Sequence, residues 1–303
     1  MSALARAWDS DIAYSFRHSP VAMLSGLILL ALLVGAVFCR LVAPYDPFDL
    51  ASLNLMDSLQ PPAFLPEGTQ AHLLGTDDQG RDVLSAILFG MRISVIVGVS
   101  AVVFAVLVGV VVGLLAGYAG GMLDALLMRV ADIQLSFPAI LIALLVDGVV
   151  TAALPRNLHE SLQLYVVTFA IGISFWPQFA RTVRGSTLVE RGKEYVMAAR
   201  VIGLSPARIM LSHILPNVLG PVMVIGTLTL GLAVLSEATL SFLGVGLPPT
   251  QPSVGTLIRV GNDFLFSGEW GITIFPGVAL VLLVLSINLL GDWLRDALNP
   301  RLR

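Results

Sequence analysis

Six long apolar runs, too few charges for a water-soluble domain and a lopsided placement of the basic residues predict an all-α membrane protein of six transmembrane helices. Of the 303 residues 56% are hydrophobic and only 12% charged, and the mean hydropathy is +0.89, which places the chain in a bilayer. A net charge of −3 creates no global field for nucleic acid.

Residues 1–20 are polar and carry Arg6, Arg17 and His18. Ser19 and Pro20 supply a cap and a first-turn proline for the helix that follows. Residues 21–39 are apolar for long enough to span, and no small-residue cleavage site follows, so the run reads as a retained anchor. Cys39, the single cysteine, has no partner for an internal disulfide and reads as a small buried residue.

Residues 40–92 form a hydrophilic excursion whose prolines, Pro44, Pro47, Pro61, Pro62 and Pro66, rule out continuous helix. Near its end Asp77, Asp78 and Asp82 lack the spacing of an EF-hand calcium loop. They read as turn and cap residues for a helix over Val83 to Phe89. Residues 93–291 then hold the other five spans.

The second span, Ile93 to Ala116, carries small residues at every fourth position: Ala101, Ala105, Gly109 and Gly113, with Gly117 just beyond. Such a ridge lets another helix approach closely in lipid, and the partner is either a helix of this chain or a second subunit. The third span, Val130 to Leu154, should be bent by Pro138. Asp147 lies in it. An ionisable residue within a span is by default a candidate for a solute path, but Gly148 beside it and Leu154-Pro155 nearby favour a helix terminator at the water boundary.

Leu164 to Ala180 is the fourth span, followed by a basic loop over 181–216 with Arg181, Arg184, Arg191, Lys193, Arg200 and Arg208. The fifth, Val218 to Gly246, is interrupted by Glu237, which either lines a path or pairs with a neighbouring subunit or the interface. Pro248 to Trp270 is a second hydrophilic excursion. Ile272 to Leu290 is the sixth span, closed by Gly291, and 292–303 is a polar tail.

The loop between spans four and five has its own pattern. Tyr195, Ala198, Ala199 and Ile202 fall at i, i+3, i+4 and i+7, an apolar stripe on a short helix whose other face carries Lys193, Glu194 and Arg200. Gly203 stops that helix. Ser205 and Pro206 read as the N-cap and first residue of a second short helix, with Leu204 and Ile209 placed as a hydrophobic staple. A helix, a tight turn and a helix at the membrane surface form a natural place to receive force.

Within this loop, Met197-Ala198-Ala199, then Gly203, then Ile214-Leu215-Pro216 resemble the EAA signature of permease subunits of bacterial ABC importers. Met197 stands where the signature has glutamate, with Glu194 one turn earlier. APYDP at 43–47, LLGTDDQGRDVLS at 73–85, SEATLSFLG at 236–244 and the tail DWLRDALNPRLR at 292–303 resemble the dipeptide, oligopeptide and nickel branch. The resemblance covers nearly the whole chain. It implies the type I importer permease architecture in a bacterial inner membrane, with Glu194, Tyr195, Met197, Ala198, Ala199, Arg200, Gly203, Leu204, Ser205, Pro206, Leu215 and Pro216 docking on an ATPase. The implied partners are a second homologous permease, two cytoplasmic ATPase subunits that use ATP and Mg, and an extracytoplasmic binding protein.

Charge supports the same topology independently. With both termini cytoplasmic, Arg6, Arg17, Arg129, the six basic residues of the 181–216 loop, Arg295, Arg301 and Arg303 lie inside. Only Arg40, Arg81, Arg92, Arg156 and Arg259 lie outside, as the positive-inside rule requires.

Enzyme readings are weak. Lys193, the only lysine, precedes Glu194, so the chain carries no P-loop of its own. The histidines His18, His72, His159 and His213 lie in different segments, which argues against a metal centre. Ser174, after Gly172-Ile173, would need a histidine at membrane depth to act as a nucleophile, and it reads as a helix-packing residue. An ion-driven secondary transporter would call for buried ion ligands and paired broken helices, for which only Asp147 and Glu237 are at hand. The expected role is transport of di- or oligopeptides, with nickel chelates, glutathione or another small solute as alternative cargo for the same machinery.

Overall fold

The computed structural model describes residues 11–49, 55–155, 158–248 and 251–297. These form helices and turns with one isolated antiparallel bridge between Thr76 and Asp82. In chain order the helices are α1 (Asp11–His18), α2 (Pro20–Val37), α3 (Cys39–Val42), α4 (Val83–Ala119), α5 (Gly121–Leu135), α6 (Ala139–Ala153), α7 (His159–Glu190), α8 (Glu194–Val201), α9 (Pro206–Ile209), α10 (Leu215–Phe242), α11 (Val254–Phe264) and α12 (Gly271–Ala297).

Five helices are long and apolar enough to cross a membrane, and the bent pair α5 and α6 supplies a sixth when counted as one span. Ser19 caps α2 by accepting from the Ala22 N–H at 3.2 Å, with Pro20 in the first turn. Asp82 caps α4, its Oδ2 accepting from the Ser85 N–H at 2.8 Å. Asp77 holds the preceding turn, accepting from the Gln79 and Arg81 amides at 2.9 Å each and pairing with the Arg81 guanidinium at 2.6 Å. Asp77 and Asp82 therefore work as turn and cap residues, whereas Asp78 Oδ1 is buried without a hydrogen-bond partner among the described residues, and Cys39 is fully buried.

Five elements depart from the sequence reading, the first being the fourth span, which runs as helix to Glu190 and takes in Arg181 and Arg184 of the loop expected over 181–216. The short helix over Val83 to Phe89 and the second span are one helix of 37 residues, because Gly90, Met91 and Arg92 contain nothing that breaks the backbone. At ~1.5 Å per residue it is about 55 Å long, well beyond a hydrocarbon core of about 30 Å. Pro138 breaks its span where a bend was expected. The residue before a proline is steered away from helical geometry, so α5 stops at Leu135, Pro138 caps α6 and the two axes meet at 94°. Gly291 does not end α12, which runs on to Ala297. It is instead a contact point, since a Cβ there would lie 2.9 Å from the Thr227 hydroxyl. Finally, the polar N-terminal segment contains α1, whose Phe16 packs edge-on against Trp293 with ring centroids 5.1 Å apart. Trp293 Nε1 donates to Ser15 Oγ at 3.3 Å, so both ends of the described chain meet at one end of the bundle.

The small-residue ridge of α4 packs against α7 of the same chain. A Cβ on Gly109 would lie 2.4 Å from Phe179 Cβ, one on Gly113 2.6 Å from the Ala180 carbonyl, and one on Gly117 2.7 Å from Thr187 Cβ. Gly172 of α7 answers from the other side, with a Cβ position 3.0 Å from the Ala101 carbonyl. Backbones this close are held by dispersion and shape, which do the work in lipid that hydrophobic exclusion does in water. Asp124 of α5 adds a bidentate pair to Arg184 of α7, at 2.5 and 2.6 Å. The paired helices α4 and α7 thus form a closely packed spine whose two ends carry the two sites described next.

Candidate functional site: a braced helix–turn–helix and a polar cavity at opposite ends of the spine

At the C-terminal end of α7 the chain turns through Arg191 to Lys193 into α8. Glu194 occupies the first turn of α8, where a negative charge complements the helix dipole. The end of α8 is a Schellman motif. The Leu204 N–H bonds to the Ala199 carbonyl at 3.1 Å and the Gly203 N–H to the Arg200 carbonyl at 3.0 Å, with Gly203 at φ 82°. That geometry favours glycine because a Cβ would crowd the backbone.

Ser205 then caps α9, accepting from the Arg208 N–H at 3.4 Å, and Pro206 takes the first helical position. Ile209 is part of the buried core and Leu204 packs against it. A π turn over Met210–Ile214 leads directly into α10. Pro216, which lacks the N–H that would bond to Ser212, follows at its exit, a setting in which a widened turn relieves the helix. Leu215 is half-buried and Pro216 exposed. The second short helix is therefore not free-standing but the tip of the fifth span.

The inward face of α8 differs from the expected stripe. Val196 and Ala199 are buried, whereas Tyr195, Ala198 and Ile202 are exposed, Ile202 by 73%. Periodicity counts every apolar residue alike, whether it faces its own core or a surface left for something else. Met197, Val201, Ile202 and Leu211 form the outward apolar rim.

Residues outside the expected set brace the loop. The Tyr195 hydroxyl donates to Glu190 Oε2 at 2.5 Å, and Lys193 pairs with Glu190 Oε1 at 2.7 Å. Asn217 Nδ2 donates to the Tyr195 oxygen at 3.1 Å and to the His213 carbonyl at 2.8 Å. Together these bonds join the last residue of α7, the first turn of α8 and the first turn of α10. Burial first, and then the bond to Glu190, push the Tyr195 phenol up to about 12.

Arg191 Nη1 donates to the carbonyls of Gly117 and Tyr118 at 2.9 and 3.2 Å, satisfying the end of α4 with a positive charge. The Arg200 guanidinium lies 5.0 Å from the centre of the Tyr118 ring, a cation–π distance. The spacing of Glu190 and Lys193 at i, i+3 was a legible signal. Arg191 gave none, because the Gly117 and Tyr118 carbonyls lie more than 70 residues away, and neither did the bond of Asn217 to Tyr195, which spans 22.

The two intramembrane acids have different fates. Asp147 is 2% exposed and accepts from Gln163 Nε2 at 3.2 Å; α6 runs on through it to Ala153, so it does not terminate a helix at water. It lines a cavity of about 540 Å³ between α6, α7 and the 244–248 turn. Glu237 is fully buried. It accepts from Ser94 Oγ at 2.6 Å and Ser241 Oγ at 2.7 Å, so its carboxylate knits α4 to α10 inside this chain and offers no surface to a second subunit.

Comparison with known proteins agrees with this architecture. The family model described as binding-protein-dependent transport system inner membrane component matches residues 105–303. The model described as N-terminal TM domain of oligopeptide transport permease C matches residues 6–62. The dipeptide transport system permease protein DppC of Haemophilus influenzae is 36% identical over 290 residues, 96% of this chain and 94% of that protein. The glutathione transport system permease protein GsiD of Escherichia coli O157:H7 is 39% identical over 292 residues, 95% and 89% of the two chains. Among solved structures, inward-facing forms of the MetNI methionine ABC transporter share the fold, with a TM-score of 0.55 at 22% identity over 71% of this chain and 96% of that one. Six apolar spans, a helix–turn–helix between the fourth and fifth, and matches along nearly the full length lead to one conclusion: the chain belongs to the binding-protein-dependent transport system inner membrane component family, the permease subunits of ABC importers.

Proposed function

We propose that this permease subunit moves di- or oligopeptides across the bacterial inner membrane by alternating access, and that closure of partner ATPases reaches it through Glu194–Pro216. Permeases of this family contribute the membrane pathway and work with ATPase and permease partners. For this chain the full set is a second homologous permease, two cytoplasmic ATPases that use ATP and Mg, and an extracytoplasmic binding protein, with both termini in the cytoplasm.

The observation that carries the proposal is the bracing of the helix–turn–helix. It presents an apolar rim of Met197, Val201 and Ile202 outward and is tied through Tyr195, Glu190 and Asn217 to α7 and α10 at once. A push on the rim therefore reaches two membrane helices without a slack joint. Glutathione is the second cargo reading, supported by the relative named as a glutathione permease.

The test is uptake of labelled dipeptide into proteoliposomes holding the complex with its co-encoded partners, with longer peptides, glutathione and nickel as competitors. ATP-dependent uptake displaced by peptides supports the proposal. Displacement by glutathione alone favours the second reading, and uptake that persists without the ATPases contradicts the mechanism.

A further inference from the structure

The cavity beside Asp147 combines two unspent charges. Asp147 is buried, its only side-chain partner is the neutral Gln163, and it forms no ion pair among the described residues. Gln163 is held in turn, donating also to the Val245 carbonyl at 3.2 Å. Arg259 of α11 lines the same cavity. Among the described residues its buried Nε has no hydrogen-bond partner and its guanidinium forms no ion pair. Thr151, another lining residue, has a buried hydroxyl that is equally unpartnered.

A buried carboxylate and a guanidinium on one cavity would ordinarily pair or be lost, because an uncompensated charge away from water is costly. Here they are kept apart. The volume of about 540 Å³ is in the range of small-solute sites.

We infer that this cavity is a subsite for a zwitterionic solute, with Asp147 accepting the ammonium of a short peptide and Arg259 donating to its carboxylate. The inference rests on the peptide reading above and assigns end-group recognition to this chain. Gln163 orients the carboxylate, and Thr151 offers a hydroxyl to the peptide backbone. Guanidinium suits the second role because its planar donors match a carboxylate oxygen pair. Gln163 lies near the start of α7 and Glu190 at its end, ~40 Å apart along one helix, so the cavity and the braced loop share one helix.

The test uses the complete complex without its binding protein, so that delivery does not mask selection. Binding of labelled dialanine is measured with dialanine, N-acetyl-dialanine and dialanine amide as competitors. In the wild type each blocked form should compete roughly tenfold more weakly or worse, since each forfeits one charge-assisted contact. Asp147→Asn should lose discrimination against the acetylated form only, and Arg259→Gln against the amide only, while Arg259→Lys keeps it. This crossed pattern is one that a purely structural role would not produce. Equal weakening of all three ligands in both variants, or selectivity unchanged in both, would overturn the subsite while leaving wild-type peptide uptake intact. Absence of peptide uptake by the wild-type complex with its binding protein would instead overturn the peptide reading, and the subsite with it.

Discussion

The Tyr195 hydroxyl donates to the Glu190 carboxylate at 2.5 Å, and this bond joins the first turn of the helix–turn–helix to the last residue of the fourth span. Tyr195→Phe should leave the subunit folded and inserted but loosen that joint. A partly exposed bond to a charged group is worth about 1 kcal/mol, roughly fivefold in an equilibrium. Transport per ATP hydrolysed by the reconstituted complex should fall by a similar factor. An unchanged ratio would remove the bond from the coupling path.

The same contact sets a pH dependence. The phenol is raised from 10.0 to about 12 in the folded chain, so folding favours the neutral form. Its contribution is complete below pH 10 and disappears as the pH climbs through about 12. The tyrosinate absorbance of the wild type minus that of Tyr195→Phe should show one group titrating near 12; a difference curve centred near 10 would mean that the bond to Glu190 is not made.

Substitution at the ridge of α4 should act through stability. Gly109→Ala forces a Cβ to within 2.4 Å of Phe179 Cβ and 2.8 Å of the Trp176 carbonyl, and overpacking of this kind costs about 1–3 kcal/mol. Gly185→Ala on α7 meets nothing within 4 Å and should be stabilising by about 0.5–1 kcal/mol. Thermal unfolding of the purified protein distinguishes them.

Gly203 tests the turn. A Cβ there touches nothing within 4 Å, so any loss arises from the left-handed backbone, at about 1–2 kcal/mol for ordinary residues and less for asparagine. Transport should fall in the order Gly203→Asn, Gly203→Asp, Gly203→Val, with membrane insertion unaffected throughout. Full transport by the valine variant would take the loop out of the mechanism.

Glu237→Ala should destabilise without changing what is carried, because it strips the Ser94 and Ser241 hydroxyls of their buried acceptor, a loss of about 1–3 kcal/mol. The variant should melt lower yet show the wild-type order of peptide competitors. An altered order would place Glu237 on the solute path.

The spans and their caps were legible because they are local: Ser19, Asp82, Ser205 and Pro206 act within four residues of themselves, and Gly203 supplies the turn its position demands. Glu237 was not legible, because its bond to Ser94 crosses 143 positions of sequence and no periodicity encodes it. Asp147 misled for the opposite reason: Gly148 beside it looks like a terminator, but the helix continues because packing by Gln163 and its neighbours outweighs the local cost of glycine. The buried face of α8 was not legible because Ile202 is apolar yet exposed, while Val196, outside the stripe, is the residue that turns inward. Hydropathy marks what leaves water, not which partner takes it out.

The proposed coupling requires partner ATPases to act on the rim formed by Met197, Val201 and Ile202. Cys39, the only native cysteine, is buried, so Ile202→Cys gives the subunit a single accessible thiol. In the assembled complex a short thiol-reactive crosslinker at position 202 should join the permease to an ATPase subunit, with a yield that changes between nucleotide-free and ATP-bound states. Free labelling of that thiol by a water-soluble maleimide in the complete complex, with no crosslink in either state, would contradict the account.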